Sequence, residues 1–210
     1  MDELFRSTAD SSWHNENLTN ELKNINIPEG DYFPIDNNIF RVFRKPLSEV
    51  RVVILGQDPY HGFTKNDDPQ ATGLAFGVPY GAGAQPSLKN IAKVCKVEPS
   101  DDWITLEHWE RQGVFLLNTA LTVECHKPNS HAKHWERFTE IVIEYMSKNN
   151  DKLIFLLWGN NAKEKKKFID GDKHYVLQST HPSPFSFHRG FNNCDHFNKA
   201  NTHLNEKIMW

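Results

Sequence analysis

Long apolar runs are missing from this 210-residue sequence. The longest of them, such as residues 153–158, falls far short of the roughly 20 residues that a membrane-spanning helix needs. The N-terminal residues have neither the apolar centre of a secretion signal nor the Arg-rich, acid-poor composition of a transit peptide. We therefore expect an intracellular protein that has no membrane partner.

Cysteine is scarce as well. The sequence has only three, Cys95, Cys125 and Cys194, and no two of them are close in sequence. An odd count argues against a disulfide framework, and three separated thiols cannot supply a four-cysteine metal or iron–sulfur site. The eleven histidines are scattered and form no metal-binding pattern. We predict a protein that uses no metal ion and no other cofactor.

Excess positive charge is also missing, because the formal net charge is −3. This argues against a protein that coats nucleic acid through bulk charge, but not against an enzyme that grips a few phosphates. The content of 38% hydrophobic and 24% charged residues is typical of a folded domain with a substantial core. We predict a loose lead-in at residues 1–12 and a single domain at residues 13–210.

Four short apolar segments predict buried strands, and helical patterns lie between them. The strands are expected at residues 52–55, 114–117, 153–157 and 175–177. Strands that alternate with helices predict a parallel sheet covered on both faces. The predicted fold class is therefore α/β, a three-layer α/β/α domain with a central four-stranded parallel sheet. The lysine-rich residues 163–167 predict a short solvated helix, and residues 180–186 predict a loop.

Polar side chains follow several of these strands at the point where each strand ends. Gln57, Asp58 and Tyr60 follow the first strand, Asn118 follows the second and His181 follows the fourth. In open α/β sheets, ligands bind in the crevice beyond the carboxyl ends of the strands. These side chains are therefore expected to converge on one site, although an Asp-Pro pair after a strand is also common turn chemistry.

Two segments of this region resemble the signature motifs of family 1 uracil-DNA glycosylases. They are Gly56-Gln-Asp-Pro-Tyr-His-Gly62 and His181-Pro-Ser-Pro-Phe-Ser186. Three segments between them are similar to the family's other blocks and stand in the family's order, at residues 73–76, 86–91 and 117–123. The resemblance extends roughly from Trp13 to the C-terminus. The fold of that family, a four-stranded parallel sheet between helices, agrees with the prediction above.

The resemblance implies a DNA repair enzyme that flips uracil out of DNA and hydrolyses its N-glycosidic bond. It would release free uracil and leave an abasic site. The implied catalytic residues are Asp58, which positions water and stabilises the sugar cation, and a neutral His181, which hydrogen-bonds uracil O2. Asn118 would pair with uracil O4 and N3–H, a pattern that cytosine presents in reverse.

The resemblance also implies the remaining contacts to base and DNA. Tyr60 would exclude the C5 methyl of thymine, Phe76 would stack on the flipped ring, and Gln57 would line the pocket mainly through its backbone. Contacts to DNA are implied for His61, Ser87, Ser183, Phe185, Ser186 and Arg189. In that set the serines hold phosphates, and Phe185 is an apolar wedge that fills the gap left by the base.

The expected partner is uracil-containing single- or double-stranded DNA, bound by a monomer. A proteinaceous glycosylase inhibitor is a further partner to be tested. The expected location is the cytoplasm in a bacterial or viral setting and the nucleus in a eukaryote.

The sequence departs from the family pattern at several positions near the site. Phe185 stands where leucine is usual, Thr72 and His188 stand where histidine and an aromatic residue are usual, and residues 63–67 look like an insertion. The loop at residues 81–85 also lacks most of the family's prolines. We expect these differences to affect DNA binding and the catalytic rate, but not the type of reaction.

Two other functions compete with a glycosylase. A glycosylase-like scaffold that binds DNA without catalysis would not need Asp58, Asn118 and His181 together. An α/β enzyme that acts on nucleotides or small phosphates would be expected to carry a P-loop or a Rossmann glycine pattern, and neither is present.

Overall fold

A computed structural model describes residues 1–210 and contains six strands. Two short strands, β1 (Tyr32–Phe33) and β4 (Val123–Glu124), pair with each other in antiparallel fashion. The other four are β2 (Val52–Gly56), β3 (Val114–Asn118), β5 (Ile154–Trp158) and β6 (Tyr175–Ser179). They form a parallel sheet in the order β3-β2-β5-β6.

Nine α-helices surround this sheet. They are α1 (Asp2–Thr8), α2 (Glu16–Asn24), α3 (Asp36–Ile39), α4 (Pro86–Cys95), α5 (Glu107–Arg111), α6 (Ala132–Asn149), α7 (Asn160–Glu164), α8 (Pro184–Phe187) and α9 (His196–His203). Short 3-10 helices extend several of them, for example at Lys165–Phe168 and Phe191–Asn193. None of the helices combines the length and the apolar character that crossing a bilayer requires.

The strand register decides which side chains share a face of the sheet. Gly56 pairs with Asn118, and Leu55 pairs with Leu157 directly before Trp158. Because side chains alternate along a strand, Asn118 and Trp158 lie on one face and Phe115 lies on the other. On that second face, Phe115 stacks on Trp13 at 5.1 Å between ring centroids.

Both faces are covered by aromatic packing. The Trp158 ring meets Phe191 edge to face at 5.1 Å, and Phe115 also contacts Phe43 at 5.5 Å. Helices α2 and α6 contact each other in one outer layer, and α4 contacts α8 in the other. These layers confirm the predicted three-layer α/β/α fold with its central four-stranded parallel sheet.

The N-terminal segment differs from the loose lead-in expected for residues 1–12. Helix α1 is formed there, and its Phe5 is fully buried. The Phe5 ring packs edge to face against Phe40 at 5.0 Å and Phe43 at 5.3 Å. A helix of seven residues is too short for its apolar residues, such as Leu4 and Phe5, to set a clear periodic pattern, so the local sequence does not indicate that it docks. The assignment of residues 13–210 to a single domain stays a prediction.

The lysine-rich segment also differs from its prediction. Lys165 is only 6% exposed, and its ammonium forms ion pairs with Glu140 at 3.1 Å and Glu136 at 3.6 Å, both on α6. A buried ammonium is tolerated only where carboxylates compensate for the lost water. The predicted solvated face is therefore wrong at Lys165, because its partners lie more than twenty residues away in sequence.

The insertion at residues 63–67 packs on the small antiparallel sheet. The Phe63 ring meets Phe33 edge to face at 5.0 Å. Phe33, Ala71 and Val123 form a separate small apolar cluster under this loop. This segment is therefore anchored by the packing of Phe63.

Candidate active site

A pocket of about 200 Å³ lies at the carboxyl ends of β2 and β3. Asp58, Asn118 and His181, which the sequence places after three different strands, all line this pocket. Its other lining residues are Gly56, Gln57, Pro59, Tyr60, His61, Ala71, Thr72, Gly73, Leu74, Phe76, Gly77, Ser87 and Pro128. The structure therefore brings the acid, the amide and the imidazole together around one small cavity.

A larger cleft of about 810 Å³ lies beside this pocket and shares only Ala71 and Thr72 with it. Its least exposed cation, Arg41, is already paired with Glu107 at 2.9 Å and Glu110 at 3.1 Å. Asn38, Asp102 and His108 also line this cleft, but none of its lining residues is one of the polar residues that follow the strands, so size alone does not identify the site. No group of three or more His, Cys, Asp or Glu side chains is arranged to hold a metal ion.

The end of β2 is shaped by Gly56. A Cβ atom at this position would overlap the Asn118 side-chain oxygen and lie 2.8 Å from Ala75 Cβ. Glycine therefore allows the Asn118 side chain to pass across the end of β2. Asn118 is only 6% exposed, and its amide makes no hydrogen bond within the protein although it lines the pocket. Such an amide needs a partner, which a ligand in the pocket can supply.

Gln57 is held through both its backbone and its side chain. Its carbonyl oxygen accepts hydrogen bonds from Thr119 Oγ1 and from Ala120 N, both at 2.9 Å. Its side-chain Nε2 donates to Asn129 Oδ1. The segment after β2 is thus fastened to the loop after β3, which fixes the position of Asp58.

The Asp58 carboxylate is anchored by one backbone group. Its Oδ2 accepts a hydrogen bond from Asn129 N at 2.7 Å. Burial raises the pKa of Asp58 above its ordinary value, while the Asn129 N–H and the neighbouring His61 act in the opposite direction. The hydrogen bond leaves the second oxygen, Oδ1, available to a ligand.

The His181 ring is fixed in one tautomer. Its Nδ1 accepts a hydrogen bond from Ser183 N at 3.0 Å, and a backbone N–H can only donate. The proton of the neutral ring must therefore be on Nε2. Burial lowers the pKa of His181, which favours this neutral form. Gly159 lies in the turn after β5, and a Cβ atom added to it would lie 3.0 Å from His181 Cβ. The loop that carries His181 therefore packs closely against this turn.

Two aromatic side chains form walls of the pocket. The Phe76 ring lies 5.9 Å from the His181 ring and 5.7 Å from the Trp158 ring. Phe76 has a φ of +67°, an uncommon conformation for an aromatic residue. The Tyr60 hydroxyl donates to the Phe76 carbonyl oxygen at 3.4 Å, and burial raises the pKa of Tyr60.

Of the serines expected to contact DNA, Ser87 lines the pocket and Ser186 lines an adjoining cleft. Ser87 lies in the first turn of α4, and Ser183 Oγ and Ser186 Oγ are 3.0 Å apart. Between those two serines, Phe185 projects into solvent and is 89% exposed. The segment predicted as a loop thus contains the short helix α8.

His61 and Arg189 line two adjoining cavities. His61 lines the pocket, and its buried Nδ1 has no hydrogen-bond partner. Arg189 is exposed and lines an adjoining cleft of about 350 Å³, which shares Gly56, Gln57 and His181 with the pocket. His61 therefore lies in the pocket itself, and Arg189 lies next to it.

Sequence reasoning missed two residues that hold the site together. Asn90 is buried on α4, and its Nδ2 donates to the Pro182 carbonyl oxygen at 2.8 Å, next to His181. Asn129 reaches Asp58 and Gln57 from the turn after β4. The sequence does carry a signal for Asn90, because a polar residue among the apolar residues of α4 indicates a buried hydrogen bond. The Lys-Pro-Asn-Ser run at 127–130 indicates a turn but not what the turn contacts.

Comparisons with known proteins agree with this geometry. The family model described as the Uracil DNA glycosylase superfamily matches residues 44–205. A uracil-DNA glycosylase of Francisella philomiragia is 50% identical over 183 residues, which cover 84% of this chain and 82% of the relative. One from Francisella tularensis subsp. novicida is 49% identical over 181 residues, covering 83% of this chain and 80% of the relative.

Solved structures show the same similarity. The crystal structure of mimivirus uracil-DNA glycosylase matches with a TM-score of 0.84 and 30% identity, covering 99% of this chain and 84% of that chain. A variant of the mimivirus protein in complex with UGI matches with a TM-score of 0.82 and 31% identity, covering 99% and 85% of the two chains.

Proposed function

Because this chain belongs to the uracil DNA glycosylase superfamily and excises uracil from DNA, we propose that Asp58, Asn118 and His181 carry out the excision. The observation that carries this proposal is their meeting around one pocket of about 200 Å³. The enzyme is a hydrolytic glycosylase of DNA repair.

Asp58 acts on the sugar side of the reaction. As the bond between uracil N1 and the deoxyribose breaks, positive charge develops on the sugar and negative charge on the departing base. The Asp58 carboxylate stabilises the sugar cation and orients the attacking water through the oxygen that Asn129 N does not hold.

His181 acts on the base side. Because Ser183 N occupies its Nδ1, the ring presents Nε2–H to the pocket. This donor stabilises the negative charge that develops on uracil O2, as an oxyanion hole does, and the ring need not give up its proton. A neutral donor suits a departing anion that is itself only weakly basic.

Asn118, Tyr60 and Phe76 select the base. The buried Asn118 amide donates to O4 and accepts from N3–H, and cytosine offers neither group in that arrangement. Tyr60 fills the space that a C5 methyl group requires, and Phe76 stacks on the flipped ring. No lysine lines the pocket to form a Schiff base, so the enzyme is monofunctional and leaves the abasic strand uncut.

The mouth of the pocket binds the DNA backbone. Ser87, Ser183 and Ser186 hold phosphates with small hydroxyls, which explains binding by a chain of net charge −3, and His61 and Arg189 add contacts. The exposed Phe185 enters the space that the flipped base leaves. All of these groups come from one chain, so a monomer is sufficient to act on single- or double-stranded DNA.

We also propose one further partner and a cellular location. The mimivirus relative was solved in complex with UGI, and we propose that an inhibitor protein of this kind also binds this chain. The enzyme must reach genomic DNA, which places its work in the cytoplasm of a bacterial or viral setting and in the nucleus of a eukaryote.

One assay tests the whole proposal. The purified protein is incubated with a uracil-containing oligonucleotide in EDTA, and the product is treated with alkali. We expect cleavage at uracil only after alkali, with free uracil released. Binding of the oligonucleotide without any release would support the non-catalytic scaffold instead.

Replacing Tyr60 with alanine should admit thymine. The substitution opens the space of the C5 methyl group, so release of thymine from normal DNA should rise at least about tenfold above background, while uracil release falls. Thymine release is measured with labelled oligonucleotides. The matched variant Tyr60→Phe keeps the ring and should keep thymine excluded. If Tyr60→Ala also excludes thymine, the selectivity lies elsewhere.

Replacing Phe185 with alanine should weaken duplex substrates selectively. We expect kcat/KM to fall about tenfold on duplex DNA and less than about threefold on single strands, because only the duplex leaves a gap to be filled. Met209→Ala is the control, since Met209 is also apolar and is 76% exposed. An equal loss on both substrates would contradict the role of a wedge.

A further inference from the structure

The turn that follows β4 supplies the only backbone group that holds the Asp58 side chain from outside its own segment. Asn129 N donates to Asp58 Oδ2 at 2.7 Å, and the Asn129 side-chain oxygen accepts from Gln57 Nε2. Asn129 thus contacts both Gln57 and Asp58, the first two residues after β2. The backbone of Asn129 binds the Asp58 carboxylate directly, whereas its side chain binds the neighbouring Gln57.

The direction of this N–H depends on an unusual backbone conformation. Asn129 has a φ of +64°, in the left-handed region, which asparagine tolerates better than most residues. A β-branched side chain is strongly disfavoured there, whereas glycine is accepted without strain. The identity of residue 129 therefore decides whether the N–H can stay pointed at the carboxylate.

The rest of the turn is well anchored. Ser130 Oγ accepts from Glu124 N at 2.7 Å, and Asn129 O accepts from Ala132 N at the start of α6. The His131 Nδ1 and the Thr122 hydroxyl lie 2.9 Å apart in a buried contact. Because both sides of the turn are fixed, a change at Asn129 is felt mainly at Asp58.

We propose that Asn129 is a positioning residue that holds the Asp58 carboxylate ionised and oriented through its left-handed backbone N–H. The hydrogen bond fixes Oδ2 and leaves Oδ1 directed toward water and the sugar. This inference rests on the proposed role of Asp58. It assigns the effect to the backbone of residue 129 and not to its side-chain amide.

The electrostatic surroundings give the expected direction of a pH effect. The charged or titratable groups near Asp58 are Tyr60, His61 and His181 in the pocket. Those on the turn are Glu124, His126, Lys127 and His131. Lys127 is paired with Glu124, so it adds little net charge. The Asn129 hydrogen bond lowers the pKa of Asp58 against the effect of burial. Losing this bond should raise the pKa of Asp58. As pH falls, activity should then begin to decline at a higher pH than in the wild type.

The test compares Asn129→Val with Asn129→Gly through the pH dependence of kcat and kcat/KM on a uracil oligonucleotide. For Asn129→Val we expect the acid limb to move up by about one pH unit and kcat to fall about tenfold or more. Asn129→Gly keeps the left-handed backbone, so its acid limb should match the wild type, with kcat reduced only about threefold by the lost Gln57 contact. Thermal unfolding of both variants shows whether they fold.

Each contrary result has a distinct meaning. An unmoved acid limb in folded Asn129→Val overturns the proposal, and so does an equal shift in both variants, which would assign the effect to the side chain. If Asn129→Val does not fold, Asn129→Ala takes its place and must show a smaller shift in the same direction. A rate in Asp58→Asn within about tenfold of wild type would instead remove Asp58 from the proposed mechanism, and wild-type protein without uracil release would remove the mechanism itself.

Discussion

Asp58→Asn should lower kcat on uracil-containing DNA by roughly 1000-fold while changing DNA affinity less than about threefold. The substitution keeps the shape of the side chain, and its oxygen can still accept from Asn129 N. It removes the negative charge that faces the sugar cation and the acceptor that orients water. Because both effects belong to the transition state, the loss should appear in kcat and not in binding.

The measurement is single-turnover uracil release together with binding of a uracil oligonucleotide. Asp68→Asn is the matched control, since Asp68 is exposed in the loop near the insertion and makes the same change of charge. That control should keep wild-type rates. Asp58→Asn with a rate within about tenfold of wild type would mean that Asp58 is not the group that stabilises the cation.

The sheet and its polar edge could be predicted because their signals are local. Strands β2, β3 and β5 are buried on both faces, so each is a continuous apolar run, and their ends fall within one residue of the prediction. β6 runs to Ser179, two residues beyond the prediction, and its partly exposed residues weaken the apolar signal. The convergence of Asp58, Asn118 and His181 follows from parallel strands that end at one edge.

Other features depend on contacts between distant segments, and the local sequence carries no sign of them. Phe5 follows Leu4 in a short and otherwise mostly polar stretch, and its partner Phe40 lies in another helical segment. Lys165 stands in a lysine run and is distinguished only by the glutamates of α6. Asn129 likewise lies in an ordinary turn signal, and only the folded chain brings it to Asp58.

The close approach at Gly56 joins fold and specificity. Register places Gly56 beside Asn118 on the same face as Trp158, and the missing Cβ allows the amide to reach the pocket. The amide that we propose to select uracil therefore stands on a strand within the sheet, where its position is set by ladder hydrogen bonds. Phe76 and Tyr60 reach the pocket from loops instead. The position of these two aromatic side chains can therefore change while the Asn118 amide stays fixed.

His181→Ala should lower kcat by about 100- to 1000-fold, because it removes the donor to the negative charge that develops on uracil O2. The second part of this prediction concerns pH. Burial lowers the pKa of His181, and Ser183 N occupies Nδ1, so the neutral ring is the active form. As pH rises through about 6.5, the ordinary histidine value, activity should stay level, since no imidazolium is being lost.

The pH profile of kcat separates this mechanism from general acid catalysis. An imidazolium that donated its proton would make kcat fall as pH rises through the pKa of His181, and such a fall would contradict the proposed neutral donor. As pH falls, protonation of His181 forces a second proton onto Nδ1, against Ser183 N–H, so loss of activity belongs on the acid side only. His188→Ala, an exposed histidine seven residues away, should leave both the rate and the profile unchanged.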